Sequence, residues 1–171
     1  FYLSMLDALG QKTTPGDTLI PLNSGDSSGG PVVWTGDRFG VAWQDRRTSD
    51  YEVYFTFLDE NGVKKHFDTQ LSFAPGFSVN VSLAWNGTEF IVVWQDDRNG
   101  IFNLFGQRVS IDSEVIGSNV ALTNSTGGFG NESPSVASGL TTVGVAWAIG
   151  NAFTHVIQFQ TFSPQLNAYS P

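Results

Sequence analysis

Between residues 38 and 44 the chain reads Arg-Phe-Gly-Val-Ala-Trp-Gln, with apolar side chains on both odd and even positions. The same density returns at 89–95, Glu-Phe-Ile-Val-Val-Trp-Gln, and at 142–148, Thr-Val-Gly-Val-Ala-Trp-Ala. Successive side chains of a strand point to opposite faces, so one face carries Phe39, Val41 and Trp43, then Phe90, Val92 and Trp94, then Val143, Val145 and Trp147. The opposite face carries Gly40 and Ala42, Ile91 and Val93, or Gly144 and Ala146. A strand with one wet face would alternate apolar with polar, so the pattern predicts sheets covered on both sides. Small residues opposite large ones in two of the three segments predict that neighbouring sheets interdigitate.

These segments belong to a longer repeat. "VVWTGDRFGVAWQDRR" (32–47) aligns without gaps on "LAWNGTEFIVVWQDDR" (83–98) at an offset of 51, and "SVASGLTTVGVAWAIG" (135–150) follows at a further 53. Fifteen residues after the Trp of each strand lies an apolar residue, Leu58, Val109 or Phe162, and "FYLSML" (1–6) overlays "VYFTFL" (53–58). Each unit is read as four strands. Strand a covers 31–34, 81–85 and 134–138, b covers 38–44, 89–95 and 142–148, and c covers 52–58, 103–109 and 155–162. A weaker strand d lies near 66–72 and 118–123. Asn86-Gly87 is a hairpin signal between a and b, and no segment carries a helical period. Four-stranded antiparallel sheets, about 51 residues apiece and stacked face to face about an axis, predict an all-β β-propeller. The chain holds about three and a half blades, a half blade at 1–23 and blades at 31–72, 81–123 and 134–171. A β-sandwich is the rival fold, although it gives no reason for the period.

The motif Trp-Gln-Asp-x-Arg closing strand b, followed by an apolar strand c and Leu-Asp-x-Asn-Gly, resembles propeller repeats of secreted and surface-attached bacterial and archaeal proteins. That resemblance implies the propeller fold and a secreted or cell-surface setting. It leaves function open, because such propellers serve as lectins, adhesion modules, scaffolds and enzymes. The third unit departs from it, with Ala148-Ile149-Gly150 in place of Gln-Asp-x-Arg. Three and a half units do not close a ring, since closed propellers have roughly four to eight blades. Either the segment is part of a longer propeller, or two copies form a homodimer in which each lends its first c–d to the partner's last a–b.

Charge and composition narrow the partners. Acidic residues outnumber basic ones 16 to 8, giving a net charge of −8, and no clustered positive face is visible. Nucleic acid is therefore excluded as a partner. No apolar run reaches membrane-spanning length, and Cys is absent, so no disulfide or thiolate metal site exists. The start "FYLSML", without Met or signal peptide, reads as a mature or excised segment. Asn80, Asn86, Asn124 and Asn131 lie in N-x-S/T sequons.

Several constellations are candidates for chemistry. "GDSSGGP" (25–31) resembles the nucleophile segment of trypsin-like proteases, but Ser27 and Ser28 precede both histidines, His66 and His155, and the extra serine breaks the spacing. In the repeat the segment is a d–a connector, so a loop is expected. Asp45, Arg47, Asp96 and Arg98 recur at the end of strand b, either as ligand contacts on one mouth of the propeller or as a hydrogen-bonded corner of the b–c turn. Trp34 and Trp85 end strand a, as a sugar-stacking platform or as packing. No cofactor is implied, although the oxygens of Asp59 and Asn61 in "LDENG" make Ca²⁺ conceivable; a hairpin turn with Gly62 at positive φ is the alternative. Neither His66 nor His155 is assigned a role. The expected function is a non-enzymatic module binding a carbohydrate or protein partner through loops 44–51, 95–102, 148–154, 23–30, 73–80 and 124–132. A glycoside hydrolase or lyase using loop carboxylates, and a purely structural scaffold, are the alternatives.

Overall fold

The computed structural model describes residues 1–21, 26–151 and 153–168. Among these there is no helix, hence none long and apolar enough to cross a membrane. Strands pair antiparallel in four sheets. The first contains β1 (Tyr2–Leu3) and β2 (Thr18–Leu19). The second contains β3 (Ser27–Ser28), β4 (Val32–Trp34), β5 (Arg38–Asp45), β6 (Glu52–Asp59) and β7 (Thr69–Gln70). The third runs β8 (Ser78–Trp85), β9 (Glu89–Asp96), β10 (Asn103–Ser110) and β11 (Val115–Ala121). The fourth has β12 (Gly130–Ser138), β13 (Val143–Gly150) and β14 (His155–Phe162), with a further bridge from Phe162 to Ala168. Each large sheet is a meander in chain order, so β5, β9 and β13 are the b strands and β6, β10 and β14 the c strands.

The d–a connectors differ from expectation. Strand a starts earlier than its apolar residues indicate, at Ser78 and at Gly130. Its register against strand b shifts between Val79 and Ser82 and between Glu132 and Ser135, where Asn80 and Ser133 take φ values of 53° and 52°. These are β-bulges, in which an extra residue is inserted and the strand re-aimed. In the second sheet the same place falls between β3 and β4. Ser27 and Ser28 are thus not a loop; they pair with Asp45 and Gln44 as the outer half of a broken strand a. Residues 23–25 of the predicted connector 23–30, and residue 152 of the predicted loop 148–154, lie outside the described residues. Gly, Ser and Asn suit a bulge as well as a turn, which is why composition alone indicated a loop.

Strand b explains the stacking. Val41, Ala42 and Trp43, and all of Phe90 to Trp94, are fully buried. Phe1, Leu3 and Ile20 of the first sheet pack against Val41, Trp43, Tyr54 and Leu58. Ala42, Val53 and Phe55 meet Phe90, Val92 and Trp94 of the third sheet. Ile91, Val93 and Leu104 of that sheet meet Val143, Val145 and Trp147 of the fourth. Sheets therefore follow one another in chain order, each offering one face backward and one forward, in the face-to-face arrangement of propeller blades. A buried aliphatic or aromatic side chain contributes about 1.5–3 kcal/mol through removal from water, so these three seams carry the fold.

Volume is conserved at each seam by different residues. Where the forward face of strand b is small, at Gly40 and Ala42, strand c supplies Phe55, and the Phe90 ring sits 4.9 Å from it. A Cβ at Gly40 would stand 2.3 Å from Phe90 Cε1. Where strand b is large, at Ile91 and Val93, strand c carries Gly106, and the Leu166 side chain fills the space over that glycine. Four c–d turns share one geometry. Asp7, Asp59, Ser110 and Ser163 each accept a backbone N–H three residues on, from a residue of positive φ: Gly10 (77°), Gly62 (74°), Ser113 (66°) and Leu166 (65°).

The Gly40 notch yields a direct check. Gly40→Ala should cost on the order of 2 kcal/mol by overpacking against buried Phe90. Gly144→Ala, at the equivalent site on β13, meets only the exposed ring of Phe159, which is free to swing aside, and should cost under about 1 kcal/mol. Urea denaturation of both variants measures the contrast.

Candidate functional site

The Trp-Gln-Asp-x-Arg motif forms a corner where strand b passes into the b–c turn. Asp45 and Asp96 are buried, and each accepts the indole N–H of the Trp two residues earlier, from Trp43 at 3.4 Å and from Trp94 at 3.0 Å. Each also accepts the backbone N–H of the Arg two residues later, at 2.8 Å and 3.0 Å. The guanidinium of Arg47 donates to Asp45 and to Asp68, that of Arg98 to Asp96. Each guanidinium lies over an aromatic ring of strand c, Arg47 at 4.0 Å from the Tyr54 centroid and Arg98 at 3.9 Å from that of Phe105. The Gln completes the unit by reaching the next sheet: Gln44 Oε1 accepts the Asn80 N–H at 2.7 Å, and Gln95 Oε1 the Ser133 N–H at 2.8 Å. Both donors are the bulge residues of strand a.

The two seams fill the space beneath this corner differently. Between the second and third sheets Glu52 is buried, accepts the Ser72 hydroxyl, and lies near Asp96. Burial pushes the Glu52 carboxyl up, and the Asp96 charge adds to it. Burial opposes ionisation of Asp96 too, but donors from Arg98, Trp94 and Ser78 outweigh it and hold that carboxyl below the ordinary range. Between the third and fourth sheets the equivalents are neutral. Asn103 takes the place of Glu52 and accepts from Thr123, Ser125 and Asn131, while Asn131 accepts the Trp147 indole at 2.8 Å. Ile149 stands where Asp45 and Asp96 stand, so an amide from strand a replaces the carboxylate.

The sequence-predicted residues do not converge on one site. Trp34 and Trp85 lie at the a–b hairpins, packed on Phe39 at 4.5 Å and on Phe90 at 4.7 Å. Asp45 lies six residues along β5 from Phe39, roughly 20 Å away at the opposite end of the sheet. Asp59 caps its hairpin: Oδ1 accepts the N–H groups of Asn61 at 3.0 Å and Val63 at 2.9 Å, and Lys65 lies 2.9 Å from Oδ2. Lys65 and those N–H groups hold the carboxyl below the ordinary range. Among the described residues, no three of His, Asp and Glu gather as a metal centre. Ser27 Oγ lies 3.4 Å from the N-terminal amine, and among the described residues neither serine is hydrogen-bonded to a histidine.

A cavity of about 580 Å³ does open where the b–c and d–a loops of the third and fourth sheets meet. Its walls include Asp97, Phe102, Glu132, Asn151 and His155. Asp97 Oδ1 accepts the Phe77 N–H at 2.6 Å, fixing its carboxylate, and Asn151 caps its own turn through Phe153 and Thr154. Among the described residues, the side chains of Glu132 and His155 make no hydrogen bond or ion pair, so their polar atoms are available to a ligand. At the cleft edge the b–c hairpin closes tightly on Gly150, where a Cβ would stand 2.1 Å from the Thr154 carbonyl oxygen. A second, more apolar cleft of about 310 Å³, with Phe129 and Val156, shares Gly150 and His155 with the first. His155, given no role by sequence, thus stands between two clefts. Glu132 and Phe102 carry no motif and emerge only when the bulged strand a meets the b–c loop.

No family model matches the chain, and no curated protein does. Solved structures do. An α-L-arabinofuranosidase from Lactobacillus brevis superposes with a TM-score of 0.60 at 12% identity, over 96% of this chain and 61% of that one. A thermostable family-43 glycoside hydrolase superposes with a TM-score of 0.62 at 14% identity, over 85% of this chain and 54% of that one. The fold is a β-propeller of stacked antiparallel sheets. The chain spans 61% and 54% of these neighbours' lengths.

Two variants test the corner. Asp96 stabilises the fold above the ordinary Asp range, and that contribution is lost as pH falls. Asp96→Asn should cost about 3 kcal/mol at pH 7, the deficit shrinking below about pH 4. Glu52, whose proton is held more tightly in the folded state, has the opposite sign: stability declines as pH rises from about 4.3 through its raised value. Glu52→Gln should gain on the wild type as pH rises above the ordinary Glu range. Urea denaturation at a series of pH values measures both.

Proposed function

We propose that this protein is a glycan-binding propeller module that takes a neutral sugar in the cleft between its third and fourth sheets. The observation that carries this reading is the pairing, in one cleft, of Glu132 and His155, whose polar atoms are unengaged, with the Phe102 ring. Carboxylate oxygens accept sugar hydroxyls, an imidazole both donates and accepts, and an aromatic edge packs against C–H groups. Two carboxylates in the wall and a net charge of −8 disfavour an acidic sugar. The apolar cleft beyond His155 gives a second residue of an oligosaccharide somewhere to lie. Such a ligand fits the secreted or surface setting implied by the repeat motif.

Hydrolysis is the second reading, supported by the likeness in fold to an arabinofuranosidase and a glycoside hydrolase and by the presence of Asp97 and Glu132 on different sheets in the cleft wall. One would protonate the leaving oxygen, the other would act as nucleophile or base. A glycan array followed by calorimetry on neutral oligosaccharides separates the readings. Binding without release of reducing sugar is expected, with Glu132→Gln weakening affinity about tenfold, near 1.4 kcal/mol, at unchanged melting temperature. Release of sugar that Glu132→Gln abolishes while binding persists would replace binding by catalysis. Failure to bind any neutral glycan at millimolar concentration would overturn both.

A further inference from the structure

One hydrogen-bonded line crosses three sheets and ends beside the cleft. Gln44 Oε1 of the second sheet accepts the backbone N–H of Asn80, the bulge residue of β8, at 2.7 Å. Asn80 Nδ2 donates in turn to Gln95 Oε1 at 2.8 Å. That same oxygen accepts the N–H of Ser133, in the bulge of β12, at 2.8 Å. Gln95 is buried, which keeps water from competing for the oxygen. The line stops there. The fourth sheet has Ser133 where the third has Asn80, and Ala148 where the others have Gln44 and Gln95.

The bulge decides which side chain enters the cleft. From Glu132 to Ser135, three steps along β12 oppose two along β13, from Ala148 to Ala146. Strand side chains alternate, so an inserted residue exchanges the faces of those beyond it. With the insertion, Asn131 points into the seam and accepts the Trp147 indole at 2.8 Å. Glu132 points the other way. Its Oε1 lies 3.0 Å from where a Cβ on Gly130 would stand, in the wall that also holds Phe102. Without the insertion the two would change places, and a carboxylate would enter the buried seam while an amide faced the cleft. A bulge residue has lost its ladder partner, so its N–H needs another acceptor. Gln95 provides it, holding Ser133 at a φ of 52° that costs a non-glycine residue energy.

We infer, resting on the glycan-binding reading of the cleft, that Gln95 is its positioning residue. By holding the Ser133 N–H it stabilises the bulge that turns Glu132 toward a bound sugar, and Asn80 fixes Gln95 for that task. One copy of a repeated residue thus acquires a ligand-directed role. In the third sheet the same bulge, held by Gln44, presents Val79 in place of Glu132, so no polar side chain is delivered there.

Nuclear magnetic resonance of the ligand-free protein reads the contact directly. Gln95→Ala should speed hydrogen exchange of the Ser133 amide on the order of tenfold and shift the side-chain carboxyl signal of Glu132, while the amides of β13 keep their protection. Asn80→Gly suits a φ of 53° and removes only the Nδ2 donor. It should act on Ser133 in the same direction, to a smaller extent, at unchanged melting temperature. In calorimetry with the neutral oligosaccharide that binds best on the array, Gln95→Ala should weaken affinity about tenfold. Combined with Glu132→Gln it should cost nothing further, because it acts through that carboxylate. An unmoved Ser133 amide in either variant, or losses that add, would overturn the inference. Absence of glycan binding, with the ligand-free signals shifted, would overturn the cleft reading and leave Gln95 as the residue that aims Glu132.

Discussion

A strand that is apolar on both faces calls for cover on both. That constraint, set by β5 and β9, dictates a stack of sheets, fixes their spacing through interlocking side chains, and leaves backbone ladders to organise each sheet internally. Size is exchanged between strands rather than held at a position. Gly40 with Phe55, and Ile91 with Gly106, are two solutions to the same thickness. Local sequence can therefore drift while the distance between sheets stays constant.

The polar motif at the end of strand b serves the same stack. Its Trp, Asp and Arg satisfy one another within a sheet, while its Gln spans to the bulge of the next. With the strongest hydrogen-bonding groups spent on architecture, the polar side chains left unengaged in the cleft, Glu132 and His155, stand near strand ends that the repeat does not constrain. The cleft with Glu132 and His155 lies at the seam where the charged corner gives way to amides, where the third unit no longer follows the motif.

The fold was legible because it repeats. Trp43, Trp94 and Trp147 sit in corresponding niches, and strands b and c occupy the expected spans to within a residue or two at each end. Strand a was only half legible, since its outer part is built of Ser, Asn and Gly around a bulge, and apolar periodicity is silent there. The site was largely illegible. Asp45, Arg47, Asp96 and Arg98 are conspicuous through repetition, and repetition marks what every sheet needs. Glu132, Phe102 and His155 differ from their counterparts in other units, and only tertiary structure brings them to one cleft.

Leu166 shows how little of a strand is enough to finish a sheet. It holds a left-handed backbone conformation that costs a non-glycine residue about 1–2 kcal/mol, yet its side chain is buried in the hollow over Gly106. Among the described residues the ladder beyond β14 amounts to one bridge, so this segment is retained by a peg rather than by a zipper. A peg holds or lets go as a unit: withdrawing Leu166 would open a void inside the preceding seam, so the turn at 163–167 is bound to the integrity of the neighbouring sheet through packing.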